Sequence, residues 1–381
     1  MPQSRGSELA RVAVLLPELA AVVLRRDNSP KRIAATGVRL GGLLAWGVEQ
    51  ARFSAELISP EITEACRAEP FRPVPAPPGA DFALGAGIPQ NSAAIARFKV
   101  AGESGEQLEV LICHPAAGKA ISADGGIALK LIRTLHNHPR RMSAEDLAEL
   151  FRLVALMAAQ EADLSAEADG LRHAAGLSWL AAPRVVRRTG QFLIQTSLDG
   201  GTVEDLPGHR RESAYRDAVI AWARTLAEDG ILHTFMRRDQ IRFQETGVGV
   251  TRWAGTCRAE PVLQAFVPSL AQAAFGPAVD RARGRSELLG LLAYGLGVAG
   301  SLEDLADLCV ALVSHCGPLR VSRPLMPGLL IRGERADAPE RMSLTRLLRQ
   351  LVWFRDLGLA CGAADLAVPW RELAHEVRSE R

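Results

Sequence analysis

Three carboxylates stand close together in the sequence, at Glu161, Asp163 and Glu167. Carboxylates grouped in this way either stay solvated on a helix face or, when buried, need a cation or a basic ligand group as their complement. Arg39 and Arg97 are side chains that could neutralise such a cluster. The sequence therefore predicts either a solvated helix face or a site for a cation or basic ligand.

Other groupings of reactive side chains give weaker indications. Cys309 and Cys316 are seven residues apart with His315 between them, but no second pair of zinc ligands is present. The six cysteines are scattered without a CxxC motif, which is typical of reduced core cysteines. The sequence has no GxSxG elbow, and the GVG at residues 247–249 lacks the flanking strand and helix of a dinucleotide site. We therefore predict no metal site, no serine hydrolase and no dinucleotide site.

Residues 136–141, with the sequence HNHPRR, put two histidines and two arginines at the end of a predicted helix. The helix dipole stabilises cations there, and the same cations could bind an anionic lipid head group or a phosphate. A capped helix end is the favoured interpretation.

The composition limits the classes of function. The 381 residues are 48% hydrophobic, and 45 Lys and Arg against 43 Asp and Glu give a net charge of +2. Because so balanced a charge creates no basic field that collects phosphates, nucleic acid is not expected as a partner. The apolar stretch at residues 12–24 is too short and interrupted for a signal peptide, and no stretch reaches the ~20 apolar residues of a membrane span. We expect a cytoplasmic protein with at most peripheral membrane contact.

The pattern of apolar residues predicts a mixed α+β chain. A helical opening is followed by a proline-rich linker, then by two β-hairpins that flank helices, and finally by a mainly helical part that contains another small hairpin. In chain order, these segments are the helical residues 8–66, the linker 69–87, strands at 93–100 and 107–113, helices at 126–136 and 143–173, strands at 184–188 and 191–197, and the helical part from residue 211 with a hairpin within 237–256.

The order of several short motifs resembles that of the UbiB/AarF family of atypical, protein-kinase-like proteins. The family's KxGQ motif, alanine-rich nucleotide loop, VAVK strand, ExD element, MEWIDG strand end and HADPHPGN loop each have a counterpart here. These counterparts lie, in that order, at residues 39–44, 91–98, 108–115, 161–168, 194–200 and 230–240. The residues that retain the family's pattern and could line a ligand cleft are Arg39, Gly41, Gly42, Ala93, Ala94, Glu161, Asp163 and Glu167.

This resemblance implies a protein-kinase-like two-lobed fold, with a small β-containing N-lobe and a larger helical C-lobe. It implies an N-terminal helical extension over residues 1–68 that contains the KxGQ-like segment. The N-lobe would then cover residues 69–200, and the helical C-lobe residues 201–381.

The departures from the family's pattern concern the groups that transfer phosphate. Such transfer needs a Lys on the third strand, an Asp that orients the nucleophile, and an Asn and an Asp that bind the metal ions. By the resemblance, Leu111 takes the Lys position, Phe235 the Asp position and Gln240 the Asn position, and Trp253 lies in the segment of the metal-binding Asp, residues 250–258, which has no carboxylate. The neighbouring Asp239 would replace a lost group only if the alignment shifted by four residues.

The resemblance therefore implies a pseudokinase: an accessory, lipid-binding or scaffolding factor in ubiquinone or another isoprenoid-lipid pathway, with no cofactor. The partners it suggests are a hydrophobic isoprenoid or quinone-like ligand, or a protein of a biosynthetic complex.

Two alternative functions stay open. One is a residual ATPase that binds ATP and magnesium through unconventional carboxylates such as Glu161, Asp163 and Asp239. The other is a pure protein-interaction subunit whose helical extension docks onto a biosynthetic enzyme.

Overall fold

The computed structural model describes residues 29–53, 60–71, 90–114, 117–134, 144–190, 192–233, 236–296, 302–315 and 339–379. The chain divides into two compact units. The first unit comprises Met1–Ala168 and Arg184–Ser197, and the second comprises Asp169–Pro183 and Leu198–Arg381. The predicted helix at residues 8–28, most of the predicted linker, and the HNHPRR segment lie outside the described residues. The predicted boundaries at residues 68 and 200 stay predictions.

Helices account for most of the described chain. They are α1 (Pro30–Leu40), α2 (Gly42–Ala51), α3 (Pro60–Ala68), α4 (Ala117–Thr134), α5 (Ala144–Glu161), α6 (Leu164–Ala174), α7 (Gly208–Ala227), α8 (Pro261–Gln264), α9 (Phe266–Phe275), α10 (Ala278–Leu296), α11 (Leu302–Ser314), α12 (Pro339–Ala360) and α13 (Val368–Ser379). The strands are β1 (Gln90–Asn91), β2 (Ile95–Ala101), β3 (Gln107–Cys113), β4 (Leu180–Ala181), β5 (Val185–Arg188), β6 (Phe192–Thr196), β7 (Ile231–Leu232), β8 (Ile241–Phe243), β9 (Val248–Val250) and β10 (Cys257–Arg258).

A five-stranded antiparallel sheet in the order β1-β2-β3-β6-β5 forms the core of the first unit. The two hairpins predicted from the sequence are confirmed as β2–β3 and β5–β6. The turn of the first hairpin contains Gly105 at a φ of +84°, a conformation that glycine adopts without strain. Apolar side chains alternate along β2, β3 and β6, and one face of the sheet buries a cluster that includes Phe98, Val110, Ile112 and Ile194.

Two consecutive glycines form the corner between α1 and α2. Gly41 and Gly42 have φ values of +69° and +62°, which other residue types rarely adopt. The two helices then approach closely, since a Cβ on Gly37 would lie 2.6 Å from Cγ2 of Val48. Helices α1, α2 and α3 share a buried apolar cluster that includes Val48 and Cys66. The glycine pair of the KxGQ-like segment is thus a structural corner.

The second unit is mainly helical. It contains a three-stranded sheet in the order β4-β9-β8 and the two-stranded pair β10-β7. The β8–β9 hairpin confirms the small hairpin predicted within residues 237–256. Large aromatic side chains fill the core, and Trp222, Trp253, Trp353 and Trp370 are each at most 1% exposed.

The predicted α+β class is confirmed, with a small antiparallel sheet followed by a larger helical part, as in the protein-kinase-like fold. The helix expected at residues 126–136 is longer, since α4 begins at Ala117, and the single helix expected at residues 143–173 is two helices, α5 and α6. Asp163 lies at the break, where its carboxylate accepts a hydrogen bond from the amide of Ser165 (2.7 Å) and caps the new helix. Within the described ranges, no helix is both long and apolar enough to cross a membrane.

Candidate functional site

Leu111, at the position predicted for the phosphate-binding Lys, is fully buried in β3. It lies opposite Arg97 of β2 and Leu193 of β6. Because side chains alternate along a strand, Leu111 is on the face of the sheet opposite the apolar cluster. Cys113 lies on the same face, and its thiol donates a hydrogen bond to the carbonyl of Ala162 (3.1 Å). This face of β3 therefore packs near the ExD-like segment, where a protein kinase pairs its Lys with a Glu.

A polar network crosses the same face of the sheet. Nε of Arg97 lies 3.7 Å from a carboxylate oxygen of Glu109, and the amide of Gln195 donates to that same oxygen (3.3 Å). Each of the three side chains is at most 7% exposed. The Arg97 guanidinium therefore has a buried carboxylate as partner on the neighbouring strand.

Three buried carboxylates form hydrogen bonds at α2, two with residues of the helix and one from the helix itself. The indole N–H of Trp46 donates to Glu161 (2.6 Å), which is 7% exposed. The amide of Leu43, in the first turn of α2, donates to Asp124 of α4 (2.9 Å). Glu49 accepts from the amide of Ala93 (2.9 Å) in the alanine-rich loop. Helix α2, which begins within the KxGQ-like segment, is thus hydrogen-bonded directly to the alanine-rich loop and to the ExD-like segment.

The remaining predicted residues of the first unit fall into exposed and buried groups. Arg39 is exposed in the last turn of α1, and Asp163 is exposed at its capping position. Glu167 is fully buried on α6, and Ala94 is 6% exposed with its carbonyl accepting from the amide of His114 (2.8 Å). The three acidic residues therefore do not share one environment, since Glu161 and Glu167 are buried and Asp163 is not.

In the second unit, both the NH₂ group and the oxygen of the Gln240 side-chain amide form hydrogen bonds. Its NH₂ group donates to Asp239 (2.7 Å), and its oxygen accepts from the hydroxyl of Thr251 (2.8 Å). The Asp239 carboxylate is 41% exposed and forms a two-bond ion pair with the buried Arg237 (3.1 and 3.0 Å). The position predicted for the metal-binding Asn thus belongs to a closed hydrogen-bond network that joins the loop to β9.

Trp253 and His233 pack against each other inside the second unit. Both side chains are fully buried, with ring centroids 4.3 Å apart in an edge-on arrangement. The Trp253 indole donates to the carbonyl of Val250 (2.7 Å). The ring Nε2 of His233 lies 2.9 Å from the carbonyl oxygen of Arg252, which can only accept, so Nε2 carries the proton of the neutral ring. Burial lowers the pKa of His233 to about 3, and the hydrogen bond to Arg252 opposes only part of that shift.

A buried amide fixes the loop that follows His233. Gln350 of α12 accepts from the amide of Met236 and donates to its carbonyl, both at 3.1 Å.

Gly170 of α6 lies against the segment of Trp253, because a Cβ at Gly170 would be only 1.8 Å from the Trp253 carbonyl oxygen. Phe235, predicted at the position of the catalytic Asp, lies outside the described residues.

The described part of the chain offers no metal cluster, and two of its cysteines have strongly raised pKa values. Among these residues, no group of three or more His, Cys, Asp and Glu side chains could hold a metal ion. The five described cysteines are free, and burial raises the pKa of Cys309 and of Cys361 to about 12. Thiols with such pKa values stay protonated near neutral pH and are poor nucleophiles.

Sequence reasoning missed the polar partners that hold these segments. Glu49 and Asp124 were not singled out, although each is a carboxylate within an otherwise apolar helical stretch. That contrast is a usable signal, because a buried carboxylate needs a donor. Trp46 lies in the predicted helical residues 8–66, and nothing in the sequence connects its indole to a residue 115 positions away.

No protein-family model and no curated protein matches this sequence. Among solved structures, the complex of Rv3197 with erythromycin from Mycobacterium tuberculosis matches with 14% identity and a TM-score of 0.45, over 92% of this chain and 88% of that chain. Rio2 kinase from Chaetomium thermophilum matches in its ADP/Mg²⁺-phosphoaspartate complex with 11% identity and a TM-score of 0.30, over 79% of this chain and 73% of that chain. Another Rio2 kinase structure from that organism matches with 13% identity and a TM-score of 0.27, over 79% and 75%. All three scores are below 0.5, so these similarities add nothing to the argument from the site.

Proposed function

We propose that this chain is a catalytically inactive protein of kinase-like fold that acts by binding, as an accessory or scaffolding factor. One observation carries the proposal: the positions predicted for the phosphate-binding Lys and the metal ligands hold side chains that are already part of the protein interior. Leu111 is fully buried, and the amide of Gln240 is engaged by Asp239 and Thr251. Without a Lys and metal ligands, the charge of a transferring phosphoryl group has nothing to neutralise it.

A place in ubiquinone or other isoprenoid-lipid biosynthesis, as a UbiB/AarF-like protein, is the finer part of this proposal. Its support is the order of the motifs together with the contacts of α2, since Trp46 bonds to the ExD-like segment and Glu49 to the alanine-rich loop. The partner would be an isoprenoid or quinone-like ligand, or a protein of the pathway, with at most peripheral membrane contact. Because Leu111 and Trp253 are fully buried, such a ligand would meet other residues.

The residual ATPase is the competing function, and the geometry disfavours it. Glu161 accepts from Trp46, Asp163 caps α6 and Asp239 pairs with Arg237. Each of these carboxylates already has a structural partner, so magnesium would have to share or displace these contacts.

A thermal-shift titration with ATP, with and without magnesium, tests the proposal. A ligand that binds only the folded state stabilises it by RT ln(1 + [L]/Kd), so a Kd of ~0.1 mM gives about 2.3 kcal/mol at ~5 mM ATP. A domain of ordinary size would then melt several degrees higher. We expect no magnesium-dependent shift at this concentration.

The result that contradicts the proposal is a clear shift that requires magnesium. The variants Glu161→Gln, Asp163→Asn and Asp239→Asn would then identify the ligands, because the ATPase alternative requires at least one of the three to abolish the shift. Measurement of phosphate release on the same samples separates nucleotide binding from hydrolysis.

A further inference from the structure

The second unit contains a cavity of about 400 Å³ that involves none of the degenerate kinase positions. Its walls are one face of α7, the turn between β8 and β9, and residues 178–179 before β4. This volume lies within the range of small-molecule sites, which are concave and combine an apolar floor with a few polar groups.

The floor of the cavity is apolar. Ala214 and Ala221 of α7 are buried, as are Phe243 and Val248 at the two ends of the β8–β9 turn. The α7 residues that face the cavity recur every three or four positions, so a single helix face forms the longest wall. An apolar portion of a ligand can therefore lie along this face.

Trp179 forms one side of the cavity in a fixed orientation. Its indole N–H donates to Glu228 (2.8 Å), and the Arg224 guanidinium lies 4.4 Å from the ring centroid. Neither Glu228 nor Arg224 lines the cavity. Because these contacts hold the half-buried ring in place before anything binds, binding would not have to order it.

The helix face that lines the cavity carries two opposite charges. Asp217 lies near the middle of α7 and Arg210 near its start. Arg210 lies in the first turn, seven residues before Asp217, which at a rise of ~1.5 Å per residue separates their backbones by roughly 10 Å. A carboxylate suits an ammonium group, whereas a guanidinium suits a carboxylate.

Polar side chains of the cavity are available to a ligand. Among the described residues, the side chains of Arg210, Gln244 and Glu245 make no hydrogen bond or ion pair. Asp217 forms an ion pair with its exposed neighbour Arg216 at 3.3 Å. The carboxylate of Glu245 adds a second acceptor for donor groups, and the Gln244 amide can both donate and accept.

We propose that this cavity binds a short zwitterionic peptide with free termini. The amino terminus lies beside Asp217, the carboxyl terminus beside Arg210, and an apolar side chain lies on the floor between them. Two to three extended residues span about 7–10 Å, which is comparable to the separation of these two residues along α7. This site is independent of the proposed function, since it shares no residue with the degenerate kinase positions.

Isothermal titration of the full-length protein with the tripeptide Ala-Leu-Ala tests the proposal. The expected result is one-site binding with a Kd below about 1 mM. N-acetylation of the peptide removes its ammonium group and C-amidation removes its carboxylate, so each should weaken binding about tenfold. The variants Asp217→Asn and Arg210→Gln should do the same from the protein side.

A double test distinguishes this geometry from non-specific binding. In Asp217→Asn, acetylation of the peptide should have no further effect, because both changes remove the same contact. The matched control is Glu212→Gln, an exposed charge on α7 that does not line the cavity, and it should leave the Kd unchanged. The absence of binding at 10-fold higher peptide concentration, or equal binding by the capped peptides, would overturn the proposal. Since Asp217 and Arg210 are exposed, we expect both variants to fold as the wild type does. Unfolding curves that match those of the wild type will verify this.

Discussion

His233 should make this protein lose stability as the pH falls below neutrality. The pKa of this buried ring is about 3, whereas a histidine in the unfolded chain titrates near 6.5. Between these values the unfolded state binds a proton that the folded state does not, so the free energy of unfolding decreases as the pH decreases. The stabilisation is complete above pH ~6.5 and is lost progressively down to pH ~3.

The size of this effect follows from the two pKa values. One pKa unit corresponds to ~1.4 kcal/mol, so lowering the pH from 7 to 5 should reduce the free energy of unfolding by about 2 kcal/mol through His233 alone. The cause is the burial of the ring, whose Nε2–H already donates to the Arg252 carbonyl and whose edge contacts Trp253. Protonation would place a positive charge in this buried site, away from water.

Urea unfolding at pH 7 and pH 5 measures this loss, and the variant His233→Gln serves as its control. Glutamine can still donate to the Arg252 carbonyl but does not titrate, so the variant should be less stable at pH 7 and depend less on pH. The difference between the two proteins isolates His233, because all other groups titrate in both. If the wild type and His233→Gln lose the same free energy between pH 7 and pH 5, the reasoning from burial is wrong.

Two substitutions test the packing around the site. Gly170→Ala should destabilise the protein by about 3 kcal/mol or more in urea unfolding, because the new Cβ would lie 1.8 Å from a backbone oxygen that cannot rotate away. The matched control Gly290→Ala, in an open helical position, should stabilise it by about 0.5–1 kcal/mol, and equal effects of the two would refute the predicted clash. Trp46→Phe removes the donor to the buried Glu161 and should cost about 1.5–3 kcal/mol. A double-mutant cycle with Glu161→Gln measures their coupling, and a coupling energy below about 0.5 kcal/mol would show that this hydrogen bond does not hold the two segments together.

The two hairpins of the first unit could be predicted from the local sequence alone. The turn glycines between β2 and β3 and the alternating apolar residues specify a hairpin without reference to the rest of the chain. The break between α5 and α6 was missed because helical periodicity continues through it. Only the capping contact of Asp163 with Ser165 ends one helix and starts the next.

The chemistry of the candidate site was predictable only in part. Leu111 at the Lys position and the lack of any carboxylate in residues 250–258 are enough to argue from the sequence that kinase groups are missing. The burial of Glu161 and the exposure of Asp163 could not be predicted, because they depend on the partners that tertiary packing supplies. The indole of Trp46 is such a partner, and it lies 115 residues away.

The network of Arg97, Glu109 and Gln195 has a consequence for the order in which the sheet folds. Two of its members lie on adjacent strands of one hairpin, but Gln195 follows Glu109 by 86 residues. Closing a loop of that length costs roughly 4 kcal/mol of chain entropy. The β2–β3 hairpin can therefore form early, whereas β6 pairs with β3 after the intervening helices have folded. Until then Glu109 lacks its amide donor. A shift of β6 by one residue would turn Gln195 toward the apolar cluster. The network therefore also favours the native register of β6 against β3.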